Sequence, residues 1–333
     1  MKIRVIIKAV GDGDALFFVL EKGAEILVGV IDGGRAQDSD KTVPHLDELL
    51  TKYGKIAPDL VVGTHYDNDH IAGLLPLLRH YNNPGVELWM FDTSATLSRI
   101  ERALEHSEGE SSMFPTEDQL TIGSVYGASG KKAEEFLLTS LKKEKEVLEY
   151  ARSIGMKIVE PVAGKCTYPN WPEITVLGPT QDYYDLLFPE RLEPKELVED
   201  LIREAEVPGT SSWEDPCARF RAERSAVSRI NLLSTIIRIQ VLEKSFLFTG
   251  DAGIDSFMAI PDHQIMLNDL YWLKMPHHGS ANNMNEHLLD LMRPRHVYIS
   301  GDSYIDEDLI QCMRSRGMLV RTTKEEGDLM IEE

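Results

Sequence analysis

The chain has 333 residues, 42% of them hydrophobic and 27% charged, and its formal net charge at pH 7 is −20. These fractions are ordinary for a globular protein, and no apolar stretch approaches the ~20 residues that a membrane-spanning helix requires. The negative charge argues against a surface that attracts nucleic acid everywhere, because phosphate binding depends on clusters of Lys and Arg. Any contact with nucleic acid must therefore be local.

The first third of the chain alternates short β-branched runs with helical patterns, which predicts an α/β beginning. The predicted strands cover 3–10, 15–20, 26–31 and 60–63, and a helix is predicted over 70–80. The apolar run at the N-terminus alternates in the manner of an opening strand and does not resemble a secretion signal.

Residues 93–229 have a different texture, with polar helices, loops rich in Ser and Gly, and one strand-like run at 174–177. The helix predicted over 131–154 interleaves Lys with Glu, which is typical of a solvated face. We interpret this segment as an insertion of polar helices and loops within a single domain that covers 1–333.

In the last third of the chain, predicted strands again alternate with predicted helices. Strands are predicted over 234–242, 245–248, 270–275 and 296–300, helices over 285–292 and 306–317, and a final strand closes the chain. Cys166, Cys217 and Cys312 are widely spaced and lack both the pairing of a structural zinc site and the density of a secreted disulfide scaffold. We therefore expect a cytoplasmic protein in a reducing compartment.

Four potential metal ligands follow the predicted strand that ends at Gly63. They are His65, Asp67, Asp69 and His70, and they lie within six residues. A strand-to-helix turn can direct such side chains at one point, and imidazole with carboxylate suits zinc, manganese or iron. A lone His or Asp in a loop is usually a cap or a solvated group, but four at this spacing predict a metal site.

Two later strands also end in polar residues. Asp251 follows Thr249-Gly250, and the pair His277-His278 follows Lys274-Met275-Pro276 and precedes Gly279-Ser280. Asp251 alone would be interpreted as a helix cap. With three such signals at strand ends, a shared site at one edge of the sheets is the economical hypothesis.

Together these elements resemble the metallo-β-lactamase fold hydrolases, whose usual first motif is HxHxDH. Here the motif is HxDxDH, with Asp67 in place of the second histidine. This variant, with the opening at 10–15 and the Ile31-Asp32-Gly33-Gly34 turn, is similar to the ComEC-type branch, which includes the hydrolase domain of bacterial DNA-uptake proteins and soluble stand-alone relatives. The resemblance covers the first and last parts of the chain and leaves out the insertion.

The resemblance implies a four-layer αββα sandwich and two divalent metal ions, zinc or manganese, that activate a water. His65 and Asp67 match the ligands of one ion, Asp69 and His70 match those of the other, and Asp251 matches the carboxylate that bridges both. Asp69 and Asp251 are accordingly also expected to be catalytic.

One of the two late histidines should complete the shell of the second ion, while the other supports it or the substrate. We favour His277 as the ligand and His278 as the catalytic residue. Asp32 matches the acidic residue that braces the metal loop, and Asp14 is expected beside it.

The sequence departs from the family at the first ion. Fuller members have another histidine on a loop before the bridging carboxylate, whereas His80 and His106 lie in helical patterns and are not expected to bind metal. Asp67 is also a harder ligand than imidazole. The first site should therefore be weaker, completed by water, or selective for manganese.

Substrate-binding candidates flank the predicted site: Lys274, Ser280, Asn231 and Ser234. Hydrogen bonds within turns and strands are the alternative for each. A basic cluster precedes the returning strand and contains Arg219, Arg221, Arg224 and Arg229. Such a cluster is usually a salt-bridged surface, but in this negative chain it is the best candidate for a contact with a phosphate backbone.

The leading hypothesis is a phosphodiesterase that acts on DNA or another nucleic acid. The alternatives are a hydrolase of a small phosphodiester, ester or lactam, and a module controlled by a protein partner, since stand-alone relatives occur as effectors in antiphage operons. The fold alone does not decide among them. Whether the chain forms a homo-oligomer is left open.

Overall fold

The computed structural model describes residues 1–93, 122–189, 192–205, 215–221, 226–302 and 305–333. Within these residues two β-sheets pack face to face, and helices cover both outer faces. The predicted α/β class and αββα sandwich are confirmed. No helix among the described residues has the length and apolar character needed to cross a membrane.

The first sheet has the order β13-β1-β2-β3-β4-β5-β6. Its strands are β1 Lys2–Ile7, β2 Ala15–Lys22, β3 Glu25–Gly33, β4 Leu60–Val62, β5 Glu87–Trp89, β6 Lys157–Val159 and β13 Leu329–Glu332. Strands β1 to β3 form an antiparallel meander, and β3 to β6 run parallel.

The second sheet has the order β12-β11-β10-β9-β8-β7. Its strands are β7 Ile174–Gly178, β8 Ile236–Val241, β9 Lys244–Phe248, β10 Trp272–Lys274, β11 His296–Ile299 and β12 Leu319–Thr322. Strands β7 to β9 are antiparallel, and β9 to β12 run parallel. Strands β6 and β7 both lie within the predicted insertion. Strand β6 pairs with β5 in the first sheet, and β7 pairs with β8 in the second.

The described helices are α1 Ser39–Lys52, α2 Asn68–Ile71, α3 Leu74–Tyr81, α4 Ile122–Ser153, α5 Gln181–Leu187, α6 Pro194–Ala205, α7 Arg229–Leu232, α8 Ile254–Met258, α9 His263–Met266, α10 Glu286–Met292, α11 Glu307–Ser315 and α12 Thr323–Glu326. The apolar faces of α1, α3 and α4 pack on the first sheet. Helices α8, α10 and α11 pack on the second.

Side chains between the two sheets form the central core. Phe18, Leu60 and Trp89 of the first sheet share one buried cluster with Phe246 and Trp272 of the second. Side chains alternate between the two faces of a strand, so residues such as Val61 and Leu273 point to the outer helical layers instead. This packing fixes the two sheets against each other, and with them the loops at their edges.

The predicted helix over 70–80 is instead two helices, α2 and α3, separated at Ala72 and Gly73. The break has a steric cause. A Cβ atom on Gly73 would lie 2.0 Å from the carbonyl oxygen of Gly33, and the amide of Gly73 donates to the carbonyl of Gly34 at 2.8 Å. The helix is interrupted where the backbones of Gly73 and Gly33 come into a close contact that only glycine allows.

Cys217 and Cys312 form a disulfide that the sequence analysis did not foresee, since 95 residues separate them. The bond joins the short 3-10 helix Pro216–Arg221 to α11. Cys166 is buried and has no disulfide partner. The spacing of the cysteines therefore did not reveal their pairing, and the inference of a reducing compartment loses that support.

Candidate metal centre

The candidate site lies where parallel strands of both sheets end. Strand β4 leads into residues 63–70, β9 into 249–251, β10 into 275–279, and β11 into 300–302. Parallel neighbours end at the same edge of a sheet. The polar residues that follow these strands are therefore brought together, although they are far apart in sequence.

Backbone hydrogen bonds join these loops into one frame. The amide of Asp14 donates to the carbonyl of Asp69 at 3.1 Å, and the carbonyl of Asp14 accepts from the amide of Gly34 at 2.7 Å. The amide of Thr235 donates to the carbonyl of Thr64 at 2.8 Å, which links the two sheets at the site. A Cβ atom on Gly13 would lie 2.8 Å from the carbonyl oxygen of Asp69, so this approach requires glycine.

His65, His70 and Asp251 form the first buried group, with ligand atoms within 4.8 Å of one another. The Nε2 atom of His70 lies 3.3 Å from Asp251 Oδ2, and the Nε2 atom of His65 lies 3.9 Å from the same oxygen. Asp67 approaches this group through Oδ2, 3.7 Å from His65 Nε2. Asp251 thus faces both histidines of the HxDxDH motif.

Asp69, His70 and His278 form a second group, again with ligand atoms within 4.8 Å. The Nε2 atom of His278 lies 3.9 Å from Asp69 Oδ2. The sequence analysis favoured His277 beside Asp69 and His70, whereas the structure places His278 there. The Nε2 atom of His277 instead lies 3.7 Å from Asp251 Oδ2.

Asp32 contacts Thr64 and His70, the histidine that belongs to both groups. Its carboxylate accepts from the amide and the hydroxyl of Thr64 at 2.8 and 2.7 Å, and its Oδ2 lies 2.8 Å from Nδ1 of His70. Because the carboxylate holds Nδ1–H, the Nε2 atom of His70 is turned toward the site. Burial alone would lower the pKa of His70, but Asp251 and Asp32 raise it well above its usual value.

Asp14 connects the second group to a buried lysine. Lys274 Nζ lies 2.7 Å from Asp14 Oδ2, and both side chains are only 1% exposed. The hydroxyl of Ser300 donates to Asp14 Oδ1 and lies 3.3 Å from Nδ1 of His278. Burial would raise the pKa of Asp14, but Lys274 and His278 hold it at about 2, so this carboxylate stays ionised.

Glu204 at the end of α6 reaches the same region from within the predicted insertion. Its Oε1 accepts from the side-chain amide of Asn231 at 2.9 Å and lies 3.9 Å from Nδ1 of His277. Burial raises the pKa of Glu204. No motif pointed to this glutamate, because a charged residue near the end of a polar helix is typical of a solvated face.

The donor set fits divalent metal ions. Within the described part of the chain, the buried atoms of the site that have no hydrogen-bond partner include His65 Nε2, Asp67 Oδ1 and Asp251 Oδ1. Leaving a buried polar atom unpaired costs about 1–3 kcal/mol. Imidazole nitrogen and carboxylate oxygen are common ligands of zinc and manganese. Bound ions would give these atoms the partners that the folded chain does not supply.

The predicted substrate-binding residues have other surroundings. Lys274 is buried on Asp14, and Asn231 is 2% exposed and donates to Glu204. The hydroxyl of Ser280 accepts from the amide of Asn282 within a turn. For these three the structure shows internal contacts of the kind that the sequence analysis gave as the alternative.

The basic cluster is paired with carboxylates where it is described. Arg221 contacts Asp215 and Glu286, and Arg229 contacts Glu196 and Asp200. The candidates that lie outside the described residues or side chains are Arg219, Arg224 and His106. His80, at the end of α3, pairs with Asp47 of α1 at 3.1 Å.

Residues 11–133 match the metallo-beta-lactamase superfamily. The matched segment contains Asp14, Asp32 and the HxDxDH motif, and it ends before Asp251 and His278. The αββα architecture described above is the fold of that superfamily. The finer resemblance, to the ComEC-type branch, stays a prediction.

Among solved structures the chain is similar to a diphosphatase from the PhnP family, with 15% identity over 100% of this chain and 99% of that one and a TM-score of 0.40. It is also similar to zinc-bound PqqB from Methylobacterium extorquens, with 12% identity, coverage of 98% and 99%, and a TM-score of 0.43. The diiron β-hydroxylase CmlA from Streptomyces venezuelae is similar over 99% of this chain and 54% of its own, with 10% identity and a TM-score of 0.44. These likenesses are too distant to assign an activity. No curated protein sequence matches the chain.

Proposed function

We propose that this chain is a metal-dependent hydrolase that cleaves phosphodiesters. The observation that carries the proposal is the pair of buried imidazole-carboxylate groups at one sheet edge, with donor atoms that the described chain leaves unpaired. Burying polar atoms without hydrogen-bond partners costs free energy, so these atoms do not serve stability alone. Their convergence from four strand ends indicates a binding site.

The residues divide into two ligand sets. His65 and Asp67 would hold one ion, Asp69, His70 and His278 would hold the other, and Asp251 lies between the sets. When bound, such ions would lower the pKa of a coordinated water and neutralise the charge that develops on the reacting centre. Their identity as zinc or manganese is part of the proposal, and the three carboxylates favour manganese more than an all-histidine set would.

The protein's own contribution is orientation and access. Asp32 holds His70, and Ser300 with Asp14 holds His278, so that each Nε2 atom faces the site. Asp69 and His277 are the partly exposed members, at 25% and 21% of their side-chain surface. Substrate and water would therefore enter on their side. Asp69, Asp251 and His278 remain the proposed catalytic residues because their polar atoms face this common space.

The charge distribution favours a small phosphodiester over DNA. Arg221 and Arg229 are paired with carboxylates, Lys274 is buried, and the net charge is −20. Tight binding of a DNA backbone requires several cations that are free to contact phosphates. Cleavage of DNA is thus a more specific proposal than cleavage of a small phosphodiester, and it is tested separately.

The test compares three substrate classes on metal-loaded protein. A chromogenic phosphodiester such as bis(p-nitrophenyl) phosphate, a chromogenic lactam and a chromogenic ester are each assayed with zinc and with manganese, and DNA is assayed beside them. Asp251→Asn should abolish turnover, while Asp255→Asn, at an exposed position on α8, should leave it unchanged. Turnover of the lactam or ester without the phosphodiester would contradict the proposal.

A regulatory protein partner, an antiphage role and a cytoplasmic location stay predictions. Gene neighbourhood would separate a regulated effector from a housekeeping enzyme. Assays with and without the products of neighbouring genes would show whether hydrolysis depends on them.

A further inference from the structure

The two adjacent histidines at the end of β10 have an unusual backbone. His277 and His278 both have positive φ angles, 46° and 52°, and Gly279 follows with 82°. Residues other than glycine rarely adopt this conformation, which costs about 1–3 kcal/mol per residue and persists mainly at functional sites. Two successive left-handed residues turn the chain sharply. The two imidazole rings consequently lie 5.9 Å apart and 63° from parallel.

Because of this turn, the two rings face different carboxylates. The Nε2 atom of His278 lies 3.9 Å from Asp69 Oδ2, within the second group. The Nε2 atom of His277 lies 3.7 Å from Asp251 Oδ2, the shared oxygen that also lies 3.9 Å from His65 Nε2 and 3.3 Å from His70 Nε2. Neighbouring residues in an ordinary strand would point to opposite faces instead. The strained turn therefore directs both rings to the site, at two separate points.

Asn283 fixes the tautomer of His277. Its side-chain NH2 donates to the carbonyl oxygens of Asp251 and Ala252 at 2.8 and 3.3 Å, which leaves its Oδ1 as an acceptor 3.1 Å from His277 Nδ1. Nδ1 must then carry the hydrogen, so the lone pair of Nε2 points toward Asp251. A metal-ligating histidine usually donates its other N–H in this way.

His278 is oriented by a different set of residues. The hydroxyl of Ser300 donates to Asp14 and so accepts from His278 Nδ1–H, and Lys274 holds Asp14 in place. A Cβ atom on Gly301 would lie 2.8 Å from the Cβ of His278, so the ring is also confined by backbone. Each histidine ring is thus oriented by its own set of residues. If only one of the two histidines were a ligand, the other would not need such orientation.

We propose that His277 is a ligand of the first ion, in addition to His65, Asp67 and the shared Asp251, so that the two adjacent histidines serve different ions. The inference rests on the proposed function, since it assumes that His65, Asp67 and Asp251 hold an ion. It assigns a ligand to the ion for which Asp67 replaces the family's second histidine and for which no other histidine between His70 and Asp251 in the described residues is available, since His80 pairs with Asp47. Asn283 is then a positioning residue for the first ion, and Ser300 is one for the second.

The experiment counts bound metal in single and paired variants. Wild-type protein, loaded with manganese or zinc and desalted, should hold about two equivalents by elemental analysis. His277→Gln, Asp67→Asn and His278→Gln should each lower the content to about one equivalent. The pair His277→Gln with Asp67→Asn should still hold one, because both changes affect the same ion. The pair His278→Gln with Asp67→Asn should hold none.

His287→Gln, at an exposed position on α10, is the matched control and should retain both ions. Asn283→Ala should weaken binding of the first ion about 10–100-fold. A cooperative thermal unfolding transition of each metal-free variant would show that the variant is folded.

The outcomes separate the two proposals. Wild-type protein that binds no ion would overturn the proposed function itself. Wild-type protein with two ions and His277→Gln with the same two, at unchanged affinity, would overturn only the assignment of His277. The same follows if the pair His277→Gln with Asp69→Asn retains one ion while His277→Gln with Asp67→Asn retains none, since that result would place His277 on the second ion.

Discussion

Two regions of the molecule concentrate charge, and they treat it in opposite ways. At the strand-end loops, carboxylates and imidazoles are buried and leave His65 Nε2, Asp67 Oδ1 and Asp251 Oδ1 unpaired. Along 216–229, the described guanidinium groups of Arg221 and Arg229 each contact two carboxylates. The density of charge is therefore a poor guide to a binding surface. What distinguishes the first region is that several of its buried polar atoms lack a hydrogen-bond partner within the described chain.

The largest effect should follow from removing the charge that both ligand sets share. Asp251→Asn keeps the size of the side chain but loses the negative charge beside His65 and His70. We expect metal content to fall and activity to drop by more than the roughly 10–100-fold that follows the loss of a supporting residue. Elemental analysis and the phosphodiesterase assay measure both quantities. Retention of two tightly held ions would remove Asp251 from the centre of the site.

Glu144 is a buried carboxylate that is not a proposed ligand, and both of its oxygens accept hydrogen bonds. It therefore provides a contrast to the carboxylates of the site. Glu144 on α4 is 1% exposed and accepts from the amide and the hydroxyl of Thr93. Burial raises its pKa to about 7. The folded state therefore binds more protons than the unfolded state between pH 4.5 and 7, and the free energy of unfolding should fall as the pH rises through this window.

Glu144→Gln mimics the protonated acid and should remove this dependence, which amounts to about 3 kcal/mol for a shift of this size. Urea unfolding of chelator-treated wild-type and variant proteins at pH 5 and pH 8 measures it. The free energy of unfolding of the variant should exceed that of wild type at pH 8 and differ little from it at pH 5. Parallel behaviour of the two proteins at both pH values would mean that Glu144 titrates normally.

A smaller effect should come from changing the type of one ligand. Asp67→His restores the commoner imidazole and should shift the preference between zinc and manganese toward zinc, on the order of tenfold. Competition between the two metals, read by elemental analysis, gives the ratio directly. Asn68→His, at the neighbouring position that is not proposed as a ligand, controls for the added imidazole. An unchanged ratio in Asp67→His would exclude Asp67 from the site.

The smallest effect is expected in the basic region. Arg221 is exposed and already paired, so Arg221→Ala should leave hydrolysis of a small phosphodiester unchanged within about twofold. Its effect on DNA cleavage should be equally small. A steep loss on DNA alone, stronger at low salt, would show that this region contacts a phosphate backbone after all.

The sequence predicted the parts of the site that depend on local order. The HxDxDH motif, Asp251 and the histidine pair each follow a strand directly, so the strand end alone indicates where they lie. Residues placed by tertiary contacts could not be predicted in this way. Glu204 arrives from a polar helix, Asn283 and Ser300 resemble ordinary loop residues, and Lys274 is buried only because Asp14 lies opposite it.

The fold shows the same division. The long periodic strands β2, β3 and β8 were predicted close to their observed bounds. Of the three-residue strands, β4 and β10 were predicted, whereas β5 and β6 were missed. The helix break at Gly73 depends on the approach of Gly33, forty residues earlier, as seen in the close contact between the two backbones. The pairing of Cys217 with Cys312 likewise depends on how the 3-10 helix 216–221 packs on α11.

The loops of the site are joined by their backbones, through the contacts of Asp14 with Asp69 and Gly34 and of Thr64 with Thr235. Main-chain hydrogen bonds are indifferent to the side chains of the residues that make them. The backbone of these loops can therefore keep its shape when the side chain at one of the site positions is replaced. The glycines at 13 and 73 have no such freedom, and they should be the positions at which descendants of this chain vary least.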